Sequence, residues 1–155
     1  MAAAIHRRIG NLLSVRSGII VHGCNALGVM GAGVALAVRK KYPGAFLVYR
    51  DQWLMTGLQV GSIIPYRVPK LAGEPALFIV NAVTQQNVGT RQRQVDYEGL
   101  GRCFNKIATF AREQNIDEVH FPLIGCGLAG GEWGVIEPII AEELEGLNAN
   151  LWVLE

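Results

Sequence analysis

The chain has 155 residues, of which half are hydrophobic and 17% are charged, and its formal net charge is +1. A chain of this length and composition buries a hydrophobic core, which excludes an intrinsically disordered protein. The nearly neutral charge gives no general reason to expect a nucleic-acid or membrane-surface partner.

The N-terminus and the cysteines indicate the compartment. The first eight residues, MAAAIHRR, lack the apolar core of a signal peptide, and no apolar run approaches the roughly 20 residues of a membrane span. Cys24, Cys103 and Cys126 cannot all pair, and none has CxxC or metal-ligand spacing. We therefore expect a cytoplasmic protein without a metal site or cofactor. Cys24 and Cys126 are interpreted as small apolar loop residues rather than nucleophiles.

Short apolar runs alternate along the chain with longer stretches of helical periodicity. The runs predict strands over residues 5–9, 18–22, 61–68, 76–84, 118–124 and 150–154. The stretches predict helices over residues 32–42, 45–55, 95–113 and 132–147. Helices that separate strands imply a largely parallel sheet covered on both faces. The sequence thus predicts one three-layer α/β/α domain over residues 1–155, with a mixed, mostly parallel sheet of about six strands.

Two glycine-rich loops each follow an apolar strand. The first is HGCNALGVMGAGV (residues 22–34), and the second is GCGLAGGEW (residues 125–133). Glycine lets backbone N–H groups approach a ligand closely, and a helix that begins after such a loop adds a positive dipole end. The two loops therefore predict one ligand with two phosphates, held from both sides at the carboxyl ends of the strands.

Two common phosphate-binding motifs are absent. Gly28, Gly31 and Gly33 do not follow the order GxGxxG, and no acidic residue follows about 20 residues later at a strand end. Neither loop ends in Gly-Lys-Ser/Thr. A nicotinamide-dependent enzyme and an ordinary nucleotide hydrolase are therefore disfavoured.

The order of these motifs resembles the macro domain family. The specific matches are GVMGAGVA (residues 28–35) and PLIGCGL (residues 122–128), and the resemblance extends from residues 10–12 to the last strand at 151–154. It is closest to the branch with terminal ADP-ribose protein glycohydrolases, antitoxin DNA ADP-ribosyl glycohydrolases and ADP-ribose-1''-phosphate phosphatases. This resemblance implies a macro domain fold and a cleft for ADP-ribose or one of its derivatives, with ADP-ribosylated macromolecules as further candidate partners.

The resemblance also implies roles for individual residues. Asn11, followed by Leu12, stands where the family often has an acidic residue that binds the adenine amino group, and its amide carbonyl can accept that hydrogen bond. Asn25 would bind the hydroxyls of the distal ribose, although a turn residue that binds its own backbone is the alternative. The residues implied to bind the ligand in the two loops are Gly28, Met30, Gly31, Ala32, Gly33, Val34, Gly125, Cys126, Gly127, Leu128 and Ala129.

Glycohydrolases of this branch are expected to use a lysine after the central strand and an aspartate in the second loop. This sequence has Gln85-Gln86 where the lysine would fall and Ala129 where the aspartate would fall. Glutamine cannot form a Schiff base and alanine cannot act as a base, so that covalent route is disfavoured.

His22 resembles the histidine that phosphatase members carry just before their asparagine. A histidine titrates near neutral pH and can act as an acid, a base or a phosphate acceptor; the alternative is a buried, hydrogen-bonded strand residue. The sequence therefore predicts an ADP-ribose-1''-phosphate phosphatase with His22 and Asn25 as its catalytic residues. A non-catalytic ADP-ribose reader and a glycohydrolase or deacetylase with a substrate-assisted water are the alternatives.

Several other residues near the motifs have simpler explanations. Glu132 complements the dipole of the last helix. Arg91 and Arg93 lie in a polar surface loop that could border the distal end of the ligand. Trp152 and Leu154 fit either an adenine wall or core packing.

Overall fold

The computed structural model describes residues 1–154 as a six-stranded sheet with helices on both faces. The strands are β1 (Ile5–Ile9), β2 (Gly18–Asn25), β3 (Ile63–Arg67), β4 (Leu77–Gln85), β5 (Glu118–Phe121) and β6 (Asn148–Val153). The helices are α1 (Gly33–Lys41), α2 (Pro43–Thr56), α3 (Tyr97–Glu113) and α4 (Trp133–Glu143), with short 3₁₀ helices at Leu12–Ser14 and Gly127–Ala129.

The strand order is β1-β6-β5-β2-β4-β3. Every neighbouring pair is parallel except β3 and β4, which are antiparallel. The fold prediction is therefore confirmed: the sheet is mixed, mostly parallel and six-stranded.

The carboxyl ends of β2 and β4 lie at the centre of the molecule because both strands are buried along nearly their whole length. Side chains of β4 alternate between two cores. Phe78, Val80 and Ala82 pack in the core that includes residues of α3 and α4, whereas Ile79 and Val83 pack on the opposite face with residues of α1 and α2. The direction of each side chain at the end of β4 follows from this alternation.

Helix α3 anchors one of these cores. Its N-cap Asp96 accepts a hydrogen bond from the Gly99 backbone N–H at 2.9 Å, and Leu100, Phe104 and Ile107 on one face of the helix are fully buried. This spacing of apolar residues is the helical period that the sequence displays.

Two strand ends differ from the prediction by three residues, and the other strand ends differ by two or fewer. Strand β5 stops at Phe121 because Pro122 has no backbone N–H to continue the ladder. Strand β2 runs three residues beyond His22, to Asn25, with a register shift between Cys24 and Asn25. The first glycine-rich segment is therefore partly strand, and its loop begins only after Asn25.

Candidate functional site

A cleft of about 1060 Å³ opens at the carboxyl ends of β2 and β4. Both glycine-rich loops line it, as do the turn after β1, the segment after β4 and the end of β6. The lining residues are 10–13, 23–25, 29, 31–35, 37, 84–85, 88–90, 122–129 and 152–154. The cleft therefore lies where the sequence predicts a ligand site.

The first glycine loop (residues 28–34) presents free backbone donors to this cleft. Gly31, Ala32, Gly33 and Val34 all line it, and within residues 1–154 their N–H groups donate to no backbone carbonyl. Gly33 has a φ of +59°, and a Cβ added there or at Gly31 would meet nothing within 4 Å. Since Gly33 is also the first residue of α1, the positive end of that helix dipole faces the same space.

Gly28 and Met30 do not line the cleft, which corrects the prediction that they bind the ligand. Gly28 has a φ of +79°, and a Cβ there would lie 2.7 Å from the Trp53 ring. Met30 is 1% exposed and packs with Phe46 and Tyr49. These two residues fix the loop from behind, so they shape the site without reaching its surface.

The second glycine loop (residues 125–131) forms the opposite wall. All five of its predicted ligand residues, residues 125–129, line the cleft. Gly125 has a φ of +78°, and a Cβ there would lie 2.9 Å from both Ile136 and Val95. Gly127, by contrast, has a φ of +62° and open space around it, and neither its N–H nor that of Leu128 donates to a backbone carbonyl within residues 1–154. The structure thus brings free donors of both loops to one cleft.

Asn11 and Leu12 lie at one end of the cleft, beside the end of β6. The Asn11 side-chain oxygen accepts a hydrogen bond from the Leu13 N–H at 2.9 Å and so caps the 3₁₀ helix. This bond leaves the oxygen's second lone pair unused. Trp152 and Leu154 line the same end.

Trp152 is held from behind by a histidine. Its indole N–H donates to Nδ1 of His120 at 2.9 Å. Burial lowers the pKa of His120, so the ring stays neutral and Nδ1 stays an acceptor at neutral pH. The sequence gives no sign of this pairing, because the two residues are on neighbouring strands.

Asn25 lines the cleft, yet its side chain also stabilises its own turn. Its oxygen accepts from the Leu27 N–H at 3.0 Å, and its amide group donates to the Val29 carbonyl at 2.9 Å. The Tyr49 hydroxyl donates to the Asn25 main-chain oxygen at 2.6 Å. The turn role that the sequence allowed is therefore present, and one amide hydrogen remains for a ligand.

His22 does not reach the cleft, which removes the basis for the predicted catalytic role. Its side chain is fully buried and is not part of the cleft lining. Nε2 lies 2.6 Å from the Asn81 side-chain oxygen, which has lone pairs only, so Nε2 carries the proton. Burial lowers the pKa of His22 to about 4, although the hydrogen bond that Nε2–H donates to Asn81 acts in the opposite direction. His22 is therefore the buried, hydrogen-bonded strand histidine that the sequence left as the alternative.

No Asp, Glu, Lys, Arg or His is among the residues that line the cleft within the described chain. Glu132 lies outside it, where its backbone N–H donates to the Tyr97 hydroxyl at 3.1 Å. Arg93 lies over the Tyr97 ring, 4.2 Å from its centre, and Arg91 is exposed. Burial raises the pKa of the Cys126 thiol, which disfavours a thiolate nucleophile there.

Sequence reasoning missed two residues at the floor of the cleft, Gly23 and Thr84. Both line it, and the Thr84 hydroxyl is the one buried side-chain oxygen or nitrogen within residues 1–154 that has no hydrogen-bond partner. The available signal was a polar residue at the carboxyl end of an apolar strand, where parallel sheets place ligands.

No three His, Cys, Asp or Glu side chains within residues 1–154 come together as a metal site would require. No helix in that range has the length and apolar character needed to cross a membrane.

The chain is similar to proteins that act on ADP-ribose derivatives. It is 29% identical to a DNA ADP-ribosyl glycohydrolase of Thermus aquaticus over 147 residues, covering 94% of this chain and 39% of that protein. It is 26% identical to an ADP-ribose 1''-phosphate phosphatase of Candida albicans over 148 residues, covering 88% of this chain and 87% of that protein. The chain thus spans about two fifths of the glycohydrolase and most of the phosphatase.

Comparison with solved structures also finds a macrodomain of Thermus aquaticus. The macrodomain of Thermus aquaticus DarG superposes with a TM-score of 0.80 at 27% identity, covering 99% of each chain. The macro domain family model matches residues 21–140, a range that includes both glycine loops and all of α1, α2 and α3. The chain therefore belongs to the macro domain family.

Proposed function

We propose that this chain binds ADP-ribose, or a derivative of it, with the pyrophosphate between the two glycine loops. The observation that carries the proposal is the arrangement of free backbone N–H groups on both sides of one cleft of about 1060 Å³. That volume is at the upper end of the roughly 300–1,000 Å³ of small-molecule sites and suits a ligand of dinucleotide size.

The electrostatics of the cleft favour a pyrophosphate. Backbone amides and the N-terminus of α1 supply partial positive charge, and the lining within residues 1–154 includes no carboxylate that would repel the phosphates. No charged side chain neutralises the pyrophosphate in this arrangement. Its affinity therefore depends on how well the backbone N–H groups of both loops are placed around it.

The two ends of the cleft suit the two ends of this ligand. Asn11 and Trp152 offer a hydrogen-bond acceptor and an aromatic surface for a purine at one end. Asn25 and Gln85 offer neutral amides at the other end, next to residues 88–90. The adenine would occupy the first end and the distal ribose the second.

Binding is better supported than side-chain catalysis. His22 is buried away from the cleft, Gln85 is neutral and Ala129 has no functional group. The lining therefore offers no conventional general acid or base. A reader of ADP-ribose, free or attached to a macromolecule, needs none.

Hydrolysis of ADP-ribose 1''-phosphate is the second candidate, and the similarity to the Candida albicans phosphatase favours it. A catalyst with this lining would depend on a substrate phosphate to activate the attacking water, with Asn25 orienting the distal ribose. Removal of ADP-ribose by a substrate-assisted water is the corresponding alternative, from the similarity to the DNA ADP-ribosyl glycohydrolase.

Calorimetric titration of the purified chain with ADP-ribose tests the binding proposal. We expect one site per chain and competition by ADP, which carries the same adenosine and pyrophosphate. Absence of heat and of competition at millimolar ADP-ribose would refute it.

Phosphate release from ADP-ribose 1''-phosphate then separates the two candidates. A reader binds this compound without turnover. A phosphatase releases phosphate, and Asn25→Ala lowers kcat while His22→Gln leaves it unchanged in the folded fraction.

A further inference from the structure

The hydroxyl of Thr84 is an unsatisfied polar group at the floor of the cleft. Thr84 is fully buried, and its Oγ1 has no hydrogen-bond partner within residues 1–154. Buried hydroxyls are nearly always paired, because leaving one unpaired costs free energy. An unpaired hydroxyl that lines a ligand cleft therefore points to a partner supplied by the ligand.

The position of Thr84 follows from the alternation of β4. Phe78, Val80 and Ala82 precede it at intervals of two on the same face of the strand, and all three are apolar core residues. The backbone carbonyl of Thr84 accepts the Asp96 N–H at 2.8 Å, which fixes the strand end while leaving the hydroxyl free. A valine in place of Thr84 would continue the apolar pattern, so core packing does not explain the hydroxyl.

Gly23 on the neighbouring strand lies against this hydroxyl. A Cβ added to Gly23 would lie 3.0 Å from Thr84 Oγ1 and 3.3 Å from Ile124. A side chain at Gly23 would therefore crowd both groups, so glycine keeps the Thr84 hydroxyl unobstructed. Gly23, Thr84 and Ile124 all line the cleft, and we call the surface that these three residues form the notch. The backbone of Gly23 is not in the left-handed region, so space is the requirement for glycine here.

The chemistry of the notch suits a neutral hydroxyl partner. A threonine hydroxyl donates one hydrogen bond and accepts others, which matches a sugar hydroxyl. The free donors for phosphate are the backbone amides of the two glycine loops, whereas Thr84 lies at the end of β4, beside the paired residues Asn25 and Gln85. These residues are on the side of the cleft that the proposed function gives to the distal ribose.

We propose that Thr84 is a specificity-determining residue whose hydroxyl hydrogen-bonds with a hydroxyl of the ligand's distal pentose at the notch. This inference rests on the proposed function and adds to it. It predicts that the cleft prefers ADP-ribose over ADP, because only ADP-ribose carries the distal sugar.

The test is calorimetric titration of wild type, Thr84→Val and Thr84→Ser with ADP-ribose and with ADP. In wild type we expect ADP-ribose to bind more tightly than ADP. Thr84→Val keeps the side-chain shape and removes the hydroxyl, so we expect about a tenfold loss of ADP-ribose affinity with ADP affinity unchanged. Thr84→Ser restores the hydroxyl and should recover ADP-ribose affinity to within about threefold of wild type.

Gly23→Ala provides an independent variant, because its methyl group covers the Thr84 hydroxyl at 3.0 Å while residue 84 stays threonine. We expect it to reduce the ratio of ADP-ribose to ADP affinity in the same direction, about tenfold. Thermal unfolding of each variant checks that it is folded.

The outcomes separate the two proposals. If wild type binds neither ligand, the proposed function is wrong. If it binds ADP-ribose and Thr84→Val leaves the ADP-ribose to ADP ratio unchanged, the Thr84 inference is wrong and the proposed function stands. An unchanged ratio in Gly23→Ala also contradicts the inference.

Discussion

Asn81 and Thr84 are both polar, fully buried residues of β4. The side chain of Asn81 is fully hydrogen-bonded, whereas the hydroxyl of Thr84 is unpaired. The Asn81 amide donates to the carbonyls of Ala45 and Ile64, each at 3.0 Å, and its oxygen pairs with His22 at 2.6 Å. Thr84 Oγ1 has no partner within residues 1–154. The two side chains point to opposite faces of the sheet, so one meets helix α2 and the other the cleft.

The difference shows how to separate structural from ligand-binding polar residues in this chain. A buried polar group whose bonding capacity is used within the protein stabilises the fold, and the His22–Asn81 pair does so by joining β2 and β4 to α2 and β3. A buried polar group left unpaired at a cleft is free to bond with a ligand, as we propose for Thr84.

The largest effect is expected when a charged side chain is placed in the cleft. Gly33→Glu or Gly127→Glu places a carboxylate where free amides face the ligand, and we expect ADP-ribose affinity to fall by about 1,000-fold or more. Calorimetry measures this loss. The matched control is Gly146→Glu, which adds the same charge at a glycine of similar positive φ (+81°) with open space around it and outside the cleft. Retained affinity in both cleft variants would place the ligand elsewhere.

The next largest effect is expected when the hydrogen-bonded side chain of Asn81 is removed. Asn81→Leu removes the side-chain hydrogen bonds to two backbone carbonyls and leaves the His22 N–H without its partner. We therefore expect the free energy of unfolding to fall by about 3 kcal/mol. Urea unfolding followed by circular dichroism measures it. The folded fraction of this variant should still bind ADP-ribose. A large loss of affinity would show that Asn81 also contributes to the binding site.

A pH dependence of stability sharpens the account of His22. Its pKa is about 4 in the folded protein and near 6.5 in the unfolded chain. Above pH 6.5 the ring is neutral in both states. Between pH 6.5 and about 4 only the unfolded chain binds the proton, so stability falls as the pH falls. From pH 7 to pH 5 we expect a loss of about 2 kcal/mol from this residue.

His22→Gln is the control for that measurement, because glutamine donates to Asn81 without titrating. Its free energy of unfolding should change less than that of wild type between pH 7 and pH 5. Equal pH slopes in the two proteins would mean that His22 is not held neutral by burial.

The smallest effect is expected when the unpaired hydroxyl of Thr84 is removed. Thr84→Val removes a hydroxyl without a partner, and we expect the free energy of unfolding to rise by about 1 kcal/mol. The same urea titration measures it beside Asn81→Leu. A destabilised Thr84→Val variant would contradict the comparison, because it would mean that the hydroxyl contributes to the fold.

The sequence was sufficient for the order of the elements and the place of the cleft. Periodicity distinguishes the apolar run of β4 from the one-sided pattern of α3. The glycines at 31, 33 and 127 follow strands, so their position at the carboxyl edge could be inferred from a parallel sheet.

Only the tertiary structure decided which side of each segment faces the ligand. Strand alternation puts residues 22 and 23 on opposite faces of β2, but the pattern is the same whichever face opens into the cleft. The sequence therefore suggested His22 as a catalytic residue, but the packing buries His22 and places Gly23 in the cleft lining. Gly28 and Gly33 likewise share a positive φ, and only the Trp53 ring against Gly28 shows that one is structural while the other is free for a ligand. The physical reason is that a sequence specifies the periodicity of its side chains, whereas the surroundings of each face depend on distant elements that the fold brings together.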